Sequence, residues 1–189
     1  VELLTASDDH TATMIGEKIN DNNNDRKSID REITQEALEM VQNGSALSTD
    51  AATIVYNPTW NKGVVGIVAS RLVEAFYKPT IVLTKSNGFI TGSARSVAGF
   101  DLYEAIESCA DLLENFGGHV YAAGLTLKEG NLEEFVGRID KFIAGKITEE
   151  MLTPMTDIDA KLEFSQITPK FFRLLKQFQP FGPGNTNPV

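Results

Sequence analysis

Two short segments carry side chains that could do chemistry. The first is Thr91-Gly92-Ser93-Ala94-Arg95-Ser96. The hydroxyls of Ser93 and Ser96 and the guanidinium of Arg95 offer donors that can fork a phosphate, a task for which the planar arginine fork is better shaped than a lysine ammonium. Gly92, inside a strand pattern, marks a place where a ligand or another backbone comes close. The same residues also suit a tight strand-to-helix connection, with Ser96 near a cap and Arg95 in solvent. The second segment is Phe116-Gly117-Gly118-His119, followed by Ala122-Ala123-Gly124. One glycine is enough to end a helix; a second, directly before a histidine, points to backbone passing something bulky while an imidazole projects from a turn. His119 could donate to a phosphate oxygen or hydrogen-bond a metal-bound water, or be satisfied by a local carbonyl at a loop tip.

Metal ligands are scarce. Hard divalent cations need several convergent carboxylates, and no Asp-His-His or His-x-x-x-His cluster occurs. Asp8-Asp9-His10 comes nearest, but at a helix start acids favour the dipole and cap the backbone, and His10 reads as surface. The expected metal ligand set in this chain is therefore none, with no tightly bound ion.

The elements that must position these residues follow from periodicity. Ala12, Ile15 and Ile19 have helical spacing, and the run Asn20-Asp21-Asn22-Asn23-Asn24-Asp25 is expected to stop that helix. A second helix is expected from about Ser28, with Ile29, Ile33, Ala37, Met40 and Val41 on one face, up to the stop signal Asn43-Gly44. Thr53-Ile54-Val55-Tyr56 reads as a buried strand. Val64, Ile67, Val68, Leu72 and Phe76 form a helical stripe that Pro79 ends, and Thr80-Ile81-Val82-Leu83 follows as a strand. Asn87-Gly88 is a strong hairpin signal leading into Phe89-Ile90-Thr91. Leu102, Ala105, Ile106, Cys109 and Leu113 predict a helix stopping at Gly117-Gly118; a strand at Leu125-Thr126-Leu127 and a helix over 132–143 complete a β-α-β-β-α-β-α order. The last forty residues offer a strand over 158–164, a helix over 169–178 capped by Thr168, and a turn-rich close. The fold class expected is α/β, a mixed β-sheet flanked by helices, preceded by a helical connector (1–48) and followed by the start of a further domain (149–189), with 49–148 as the central domain.

Bulk properties bound the function. At 189 residues the chain suits one well-buried domain and a smaller appendage. No apolar run approaches the roughly 20 residues that cross a bilayer. Val1-Glu2-Leu3-Leu4 has neither an initiating Met nor a signal-peptide layout, so the chain is expected to be cut from a longer one. The single cysteine, Cys109, fits a reducing, cytoplasmic setting. A net charge of -9 argues against a basic nucleic-acid surface overall. Its distribution matters more: residues 1–50 hold four Lys/Arg against eleven Asp/Glu, whereas 58–100 hold five against Glu74 alone. That local +4 permits a phosphate-facing surface, although solvated side chains would look the same.

Three motifs in order, W-N-K-G-V-V-G-I-V-A-S-R-L at 60–72, G-S-A-R-S at 92–96 and F-G-G-H-V-Y-A-A-G-L at 116–125, closely resemble RecJ-type exonucleases of the DHH phosphoesterase superfamily. Tyr77-Lys78-Pro79, the Asn-rich leader and Phe181-Gly182-Pro183-Gly184-Asn185 extend the resemblance over nearly the whole chain. The resemblance implies that 49–148 is the DHH-associated, substrate-binding domain of an exonuclease that digests single-stranded DNA from the 5′ end in repair and recombination. It further implies Mn2+ or Mg2+ in an N-terminal DHH domain absent from this chain, and an OB-type domain beyond it. Ser93 and Arg95 would then lie against the 5′ end or nearby phosphates, with Gly92 and Ser96, and Gly117-Gly118-His119 would approach the scissile phosphate, His119 with a catalytic role. The fragment alone would be inactive. Where the family often has His after the tryptophan, this chain has Asn61. Other classes stay open at this point: a DHH-family phosphodiesterase for short oligonucleotides or cyclic dinucleotides, or a non-catalytic nucleic-acid-binding module.

Overall fold

A computed structural model describes residues 1–47, 50–182 and 184–189. The expected boundary at 48/49 and Pro183 of the F-G-P-G-N run lie outside them. Two compact units divide after Thr153.

In the first unit, α1 runs unbroken over Asp9–Gln42. Its start is capped by Asp8, whose carboxylate accepts the Thr11 backbone N–H at 2.8 Å. The expected break at 20–25 does not occur. Each Asn or Asp costs only about half a kcal/mol relative to Ala in a helix interior, no proline intervenes, and a helix already growing propagates through weak positions at little cost. Arg26 Nη2 also donates to Asn23 Oδ1 at 2.9 Å, one turn apart. Only the C-terminal half is anchored, through buried Asp30, Ile33, Thr34 and Ala37. The expected stop is real: Asn43 caps the helix and Gly44 takes φ 71.

The central elements are β1 (Thr53–Tyr56), α2 (Val65–Phe76), β2 (Thr80–Ser86), β3 (Phe89–Arg95), α3 (Leu102–Glu107), β4 (Leu113–His119), β5 (Ala122–Leu127) and α4 (Leu132–Lys146). The sheet order is β1-β2-β3-β5-β4. β1 and β2 are parallel and the remaining pairs antiparallel, so the mixed sheet expected of the sequence is present. Asn87 (φ 52) and Gly88 (φ 82) make the tight β2–β3 turn, both in the left-handed region that a two-residue hairpin favours.

Two expectations need correction here. β3 continues past Thr91 to Arg95, so Ser93 through Arg95 lie within the strand together with Gly92, and the alternative of a strand-to-helix connection at these residues does not hold. The helix expected up to Gly117 ends at Glu107, and β4 replaces its second half. The apolar spacing from Leu102 to Leu113 fits a helix, but β5 presents backbone donors and acceptors on its outer side, and residues 113–119 pair with them as a strand. Periodicity along one segment does not register that demand.

Helices α3 and α4 pack on one face of the sheet, where Phe135, Ile139 and Ile143 meet Ile54, Ile81, Leu83, Ile90, Leu125 and Leu127. On the other face, α2 and the anchored half of α1 cover β1 and β2 through Val65, Val68, Leu72, Ile33 and Ala37 against Val55 and Val82. Arg71 Nη2 meets the buried Asp30 carboxylate at 2.6 Å, and Trp60 Nε1 donates to Glu36 at 2.7 Å, tying α2 and its preceding loop to α1.

The second unit, 154–189, holds α5 (Pro169–Lys176), capped as expected by the Thr168 hydroxyl on the Phe171 N–H. The strand expected over 158–164 is not formed among the described residues. Its backbone link there is a single Asp159 N–H to the Val189 carbonyl at 2.9 Å, and one bond makes no ladder. Asn185 Nδ2 donates to the carbonyls of Phe178 and Pro180 at 2.8 and 2.9 Å, fastening the turn after α5.

Cys109 is fully buried against the α3–α4 side, and that burial pushes its thiol up from the ordinary range. Thiolate is the reactive form. Cys109 in the native chain should therefore resist iodoacetamide at mildly alkaline pH and label readily in denaturant; rapid native labelling would place α3 outside the core.

Candidate functional site

Alternation along β3 sorts the candidate residues by face. Ile90, Gly92 and Ala94 point into the α3–α4 core; Thr91, Ser93 and Arg95 point to the other side, only half-buried. The cross-strand register carries the sorting onward. Arg95 pairs with Ala122, which pairs with His119; Ser93 pairs with Gly124, which pairs with Gly117; Thr91 pairs with Thr126, which pairs with Asn115. Arg95 and His119 thus share one row of a sheet face whose floor is made of small residues. The apolar cluster under α2 reaches only to Val82, so on β3, β5 and β4 this face is not packed by it.

Arg95 is held but not neutralised. Its Nη1 donates to Ser93 Oγ at 2.9 Å and to the Ala94 carbonyl at 2.8 Å. Among the described residues no carboxylate pairs with it, in contrast to Arg71 and Arg138. The first turn of α2 lies beside it: a Cβ on Gly66 would stand 3.0 Å from Arg95 Nη2 and 3.1 Å from Ser93 Oγ. Val64 precedes α2 as its N-cap without a side-chain hydrogen bond, so the helix's positive dipole end adds to the guanidinium. A hollow of about 730 Å³ opens there, lined by Arg26, Gly63, Gly66, Arg71, Glu74 and Arg95. Arg71 is already paired with Asp30, so Arg95 and Arg26 against Glu74 leave the hollow locally basic, the kind of surface on which a phosphate is stabilised.

His119 ends β4 at a two-residue tip. The Tyr121 backbone N–H points at its Nδ1 at 3.4 Å. No hydrogen bond to its other ring nitrogen, Nε2, occurs among the described residues.

The other candidates part company. Gly92 faces the core, and a Cβ would collide with the Leu83 side chain and lie 2.8 Å from the Val82 carbonyl, so strand packing explains its identity. Ser96 Oγ donates its single proton to the Phe100 carbonyl at 2.7 Å and its N–H bonds the Tyr121 carbonyl, both turn-fastening contacts. Gly118 has φ 150, and a Cβ there would run into the Ala122 carbonyl and Ala123, whereas one on Gly117 would meet nothing within 4 Å. The expected turn at Gly117-Gly118 is therefore corrected to extended strand, with only Gly118 demanded by the fold. Asn61 Oδ1 accepts the Gly63 N–H at 2.8 Å, closing the loop ahead of α2.

Residue-by-residue reading singled out neither Gly66 nor Arg26, and it counted Arg71 only among the basic residues of 58–100. Gly66 left a signal, a glycine inside a helical stripe that has no turn to make, and Arg71 left one in the local positive balance of 58–100; Arg26 left none, because its place in the hollow arises only from packing. Among the described residues no group of three or more His, Cys, Asp or Glu could hold a metal ion, so nothing here fits a divalent centre and no step is assigned to one. No helix among them is long and apolar enough to cross a membrane.

Residues 49–145 match the DHHA1 domain model and 158–189 the RecJ OB domain model. The single-stranded-DNA-specific exonuclease RecJ of Bacillus subtilis is 37% identical over 190 residues, covering 100% of this chain and 24% of that protein. The Haemophilus influenzae RecJ is 30% identical, with 100% and 34% covered. The chain thus spans about a quarter to a third of the curated relatives it matches. The Mg2+ complex of RecJ from Thermus thermophilus superposes with TM-score 0.85 at 28% identity, over 98% of this chain and 28% of that one. A manganese-bound exonuclease RecJ gives TM-score 0.67 at 27% identity, over 78% and 36%.

The two glycine roles separate by mutation. Gly118→Ala should cost about 2 kcal/mol, lowering the melting temperature by roughly 4–8 °C, whereas Gly66→Ala should hold or raise stability, since about 1 kcal/mol of helix propensity offsets displacement of a flexible arginine tip. Thermal unfolding of both variants checks this; equal losses would contradict it.

Proposed function

The chain belongs to the DHHA1 domain family in the form that RecJ proteins carry, and from that premise we propose that it grips the strand for a 5′-to-3′ single-stranded-DNA exonuclease of repair and recombination. The observation that carries this reading is the unneutralised Arg95, braced by Ser93 beside the uncapped start of α2, in the same sheet row as His119. An exonuclease must hold the sugar-phosphate track without reading its bases, and a guanidinium with a helix start and a row of small residues beneath does that. In this reading 1–48 is the connector, 49–148 the substrate-binding domain, and 149–189 leads into the OB-type domain. Two divalent metals, Mn2+ or Mg2+, held by a DHH domain elsewhere in a longer protein, would supply the hydrolytic chemistry; this chain contributes grip and orientation.

His119 then donates its Nε2 proton toward a non-bridging oxygen of the scissile phosphate, a bond that strengthens as charge builds there. The acidic α1 keeps its unanchored half, rich in Asp and Asn, away from the anchored contacts with α2, so the net charge of -9 need not oppose binding locally. A phosphodiesterase of short or cyclic dinucleotides would use the same face. The match of 158–189 to the RecJ OB domain favours a longer single strand, since OB folds track the backbone over several nucleotides.

The chain should bind a labelled oligonucleotide weakly, with affinity falling as salt rises, and Arg95→Ala should reduce the salt slope by about 1. Salt-insensitive binding would remove the phosphate grip. In the longer enzyme, His119→Ala should lower kcat by roughly a hundredfold with little change in strand affinity, while Arg95→Ala mainly raises KM. Steady-state kinetics with melting temperatures alongside read both; unchanged kinetics for His119→Ala would take it out of the site.

A further inference from the structure

The β4–β5 tip places an aromatic ring where nothing in the fold requires one. Tyr121 is 56% exposed, and its neighbour Val120 is also exposed. Among the described residues its ring stacks on no other and faces no cation; the aromatic pair here is Tyr103–Phe116, and the cation contacts belong to Phe142 and Phe172. Its backbone, by contrast, is braced from three directions. The Tyr121 carbonyl accepts the Ser96 N–H at 3.0 Å, the Val120 carbonyl accepts the Leu102 N–H at 3.1 Å, and the Tyr121 N–H meets His119 Nδ1 at 3.4 Å. Ser96 follows Arg95, and Ala122 stands between Arg95 and His119 in the sheet. Tyr121 thus directly precedes Ala122 of the Arg95–Ala122–His119 row and lies two residues from His119, on a tip whose backbone is already held by hydrogen bonds.

We propose that Tyr121 is a stacking platform for a nucleobase of the single DNA strand whose phosphate Arg95 holds, making it a positioning residue for the terminal nucleotides. The inference rests on the strand-gripping reading of the Arg95–His119 row. A phosphate grip alone fixes charge but leaves the attached nucleotide free to swing. A base laid on a tyrosine face is ordered without being identified, because every base has a π-face. Tyrosine is suited to this by its large, stiff surface with only two side-chain torsions to restrict, and a pre-braced tip lowers the ordering cost of binding further. Stacking carries no charge, so its signature differs from that of the arginine.

The test titrates the wild-type chain, Tyr121→Ala and Tyr121→Phe with an oligo(dT) and with an oligonucleotide of equal length built of abasic sites, each at several salt concentrations. Tyr121→Ala should weaken oligo(dT) binding about tenfold with an unchanged salt slope, Tyr121→Phe should bind as wild type, and all three should bind the abasic strand equally. Loss of the same size on both strands, no loss on either, or a Phe variant as weak as the Ala variant would overturn the stacking role. Wild-type binding that is absent or indifferent to salt would instead overturn the strand-gripping reading, and this inference with it. An unchanged melting temperature is expected in both variants, since the ring buries little.

Discussion

The register of β3 with β5, and of β5 with β4, is the constraint on which the rest depends. Side chains alternate across a sheet, so a slip of one residue would send Arg95 and Ser93 into the α3–α4 core and bring Ala94 and Ile90 to the surface. Several features pin the register. The Asn87-Gly88 turn sets β2 against β3, with both residues at positive φ. Gly92 lets β3 lie close to Leu83 of β2, and Gly118 lets β4 pass the Ala122 carbonyl. The buried face supplies the driving force, since fully burying a Leu, Ile or Phe side chain is worth about 1.5–3 kcal/mol, and Ile90, Leu125 and Leu127 can reach that face only in this register. The row Arg95–Ala122–His119 is the outward side of the same arrangement.

Charge is organised by the same packing. Arg71 is drawn to the buried Asp30 of α1, with side-chain exposures of 45% and 6%. A pair with one partner this buried adds little net stability, but breaking it would strand a carboxylate. Its consequence is positional: α1 is set against α2, and Arg26 and Arg71 come to the hollow that also holds Arg95. Most acids of the leader lie on the exposed faces of α1, so an acidic chain presents a locally basic hollow. Net charge governs the field at a distance, whereas a contact with one phosphate is governed by the few groups within a Debye length.

The glycines show how the same residue type answers different demands. Gly92 and Gly118 are required by neighbouring backbone and side chains, Gly66 by the arginine it leaves room for, and Gly117 by nothing inside the chain. A Cβ at Gly117 would stand in open space among the described residues. Ser93 and Ser96 divide in the same way: one hydroxyl braces Arg95, while the other closes the loop to Phe100. Spacing in the sequence made both serines equal candidates.

By itself, the sequence determined the elements whose signals are local. The Thr53–Tyr56 strand, the Val65–Phe76 helix, the Asn87-Gly88 turn and the Thr168 cap follow from backbone preferences and period, which neighbouring residues alone decide. Its motifs also brought Arg95 and His119 to notice together. The tertiary structure decided what depends on partners distant in the chain. It turned residues 113–119 into a strand because β5 needed hydrogen-bond partners, carried α1 through its Asn-rich run because no packing or proline opposed it, and denied residues 158–163 a ladder because one backbone bond cannot make one. It also aligned Arg95 with His119 in one row beside Gly66, Arg26 and Arg71. Propensity is summed along the chain, whereas backbone pairing and side-chain proximity are satisfied in space, and only the folded molecule specifies who is next to whom.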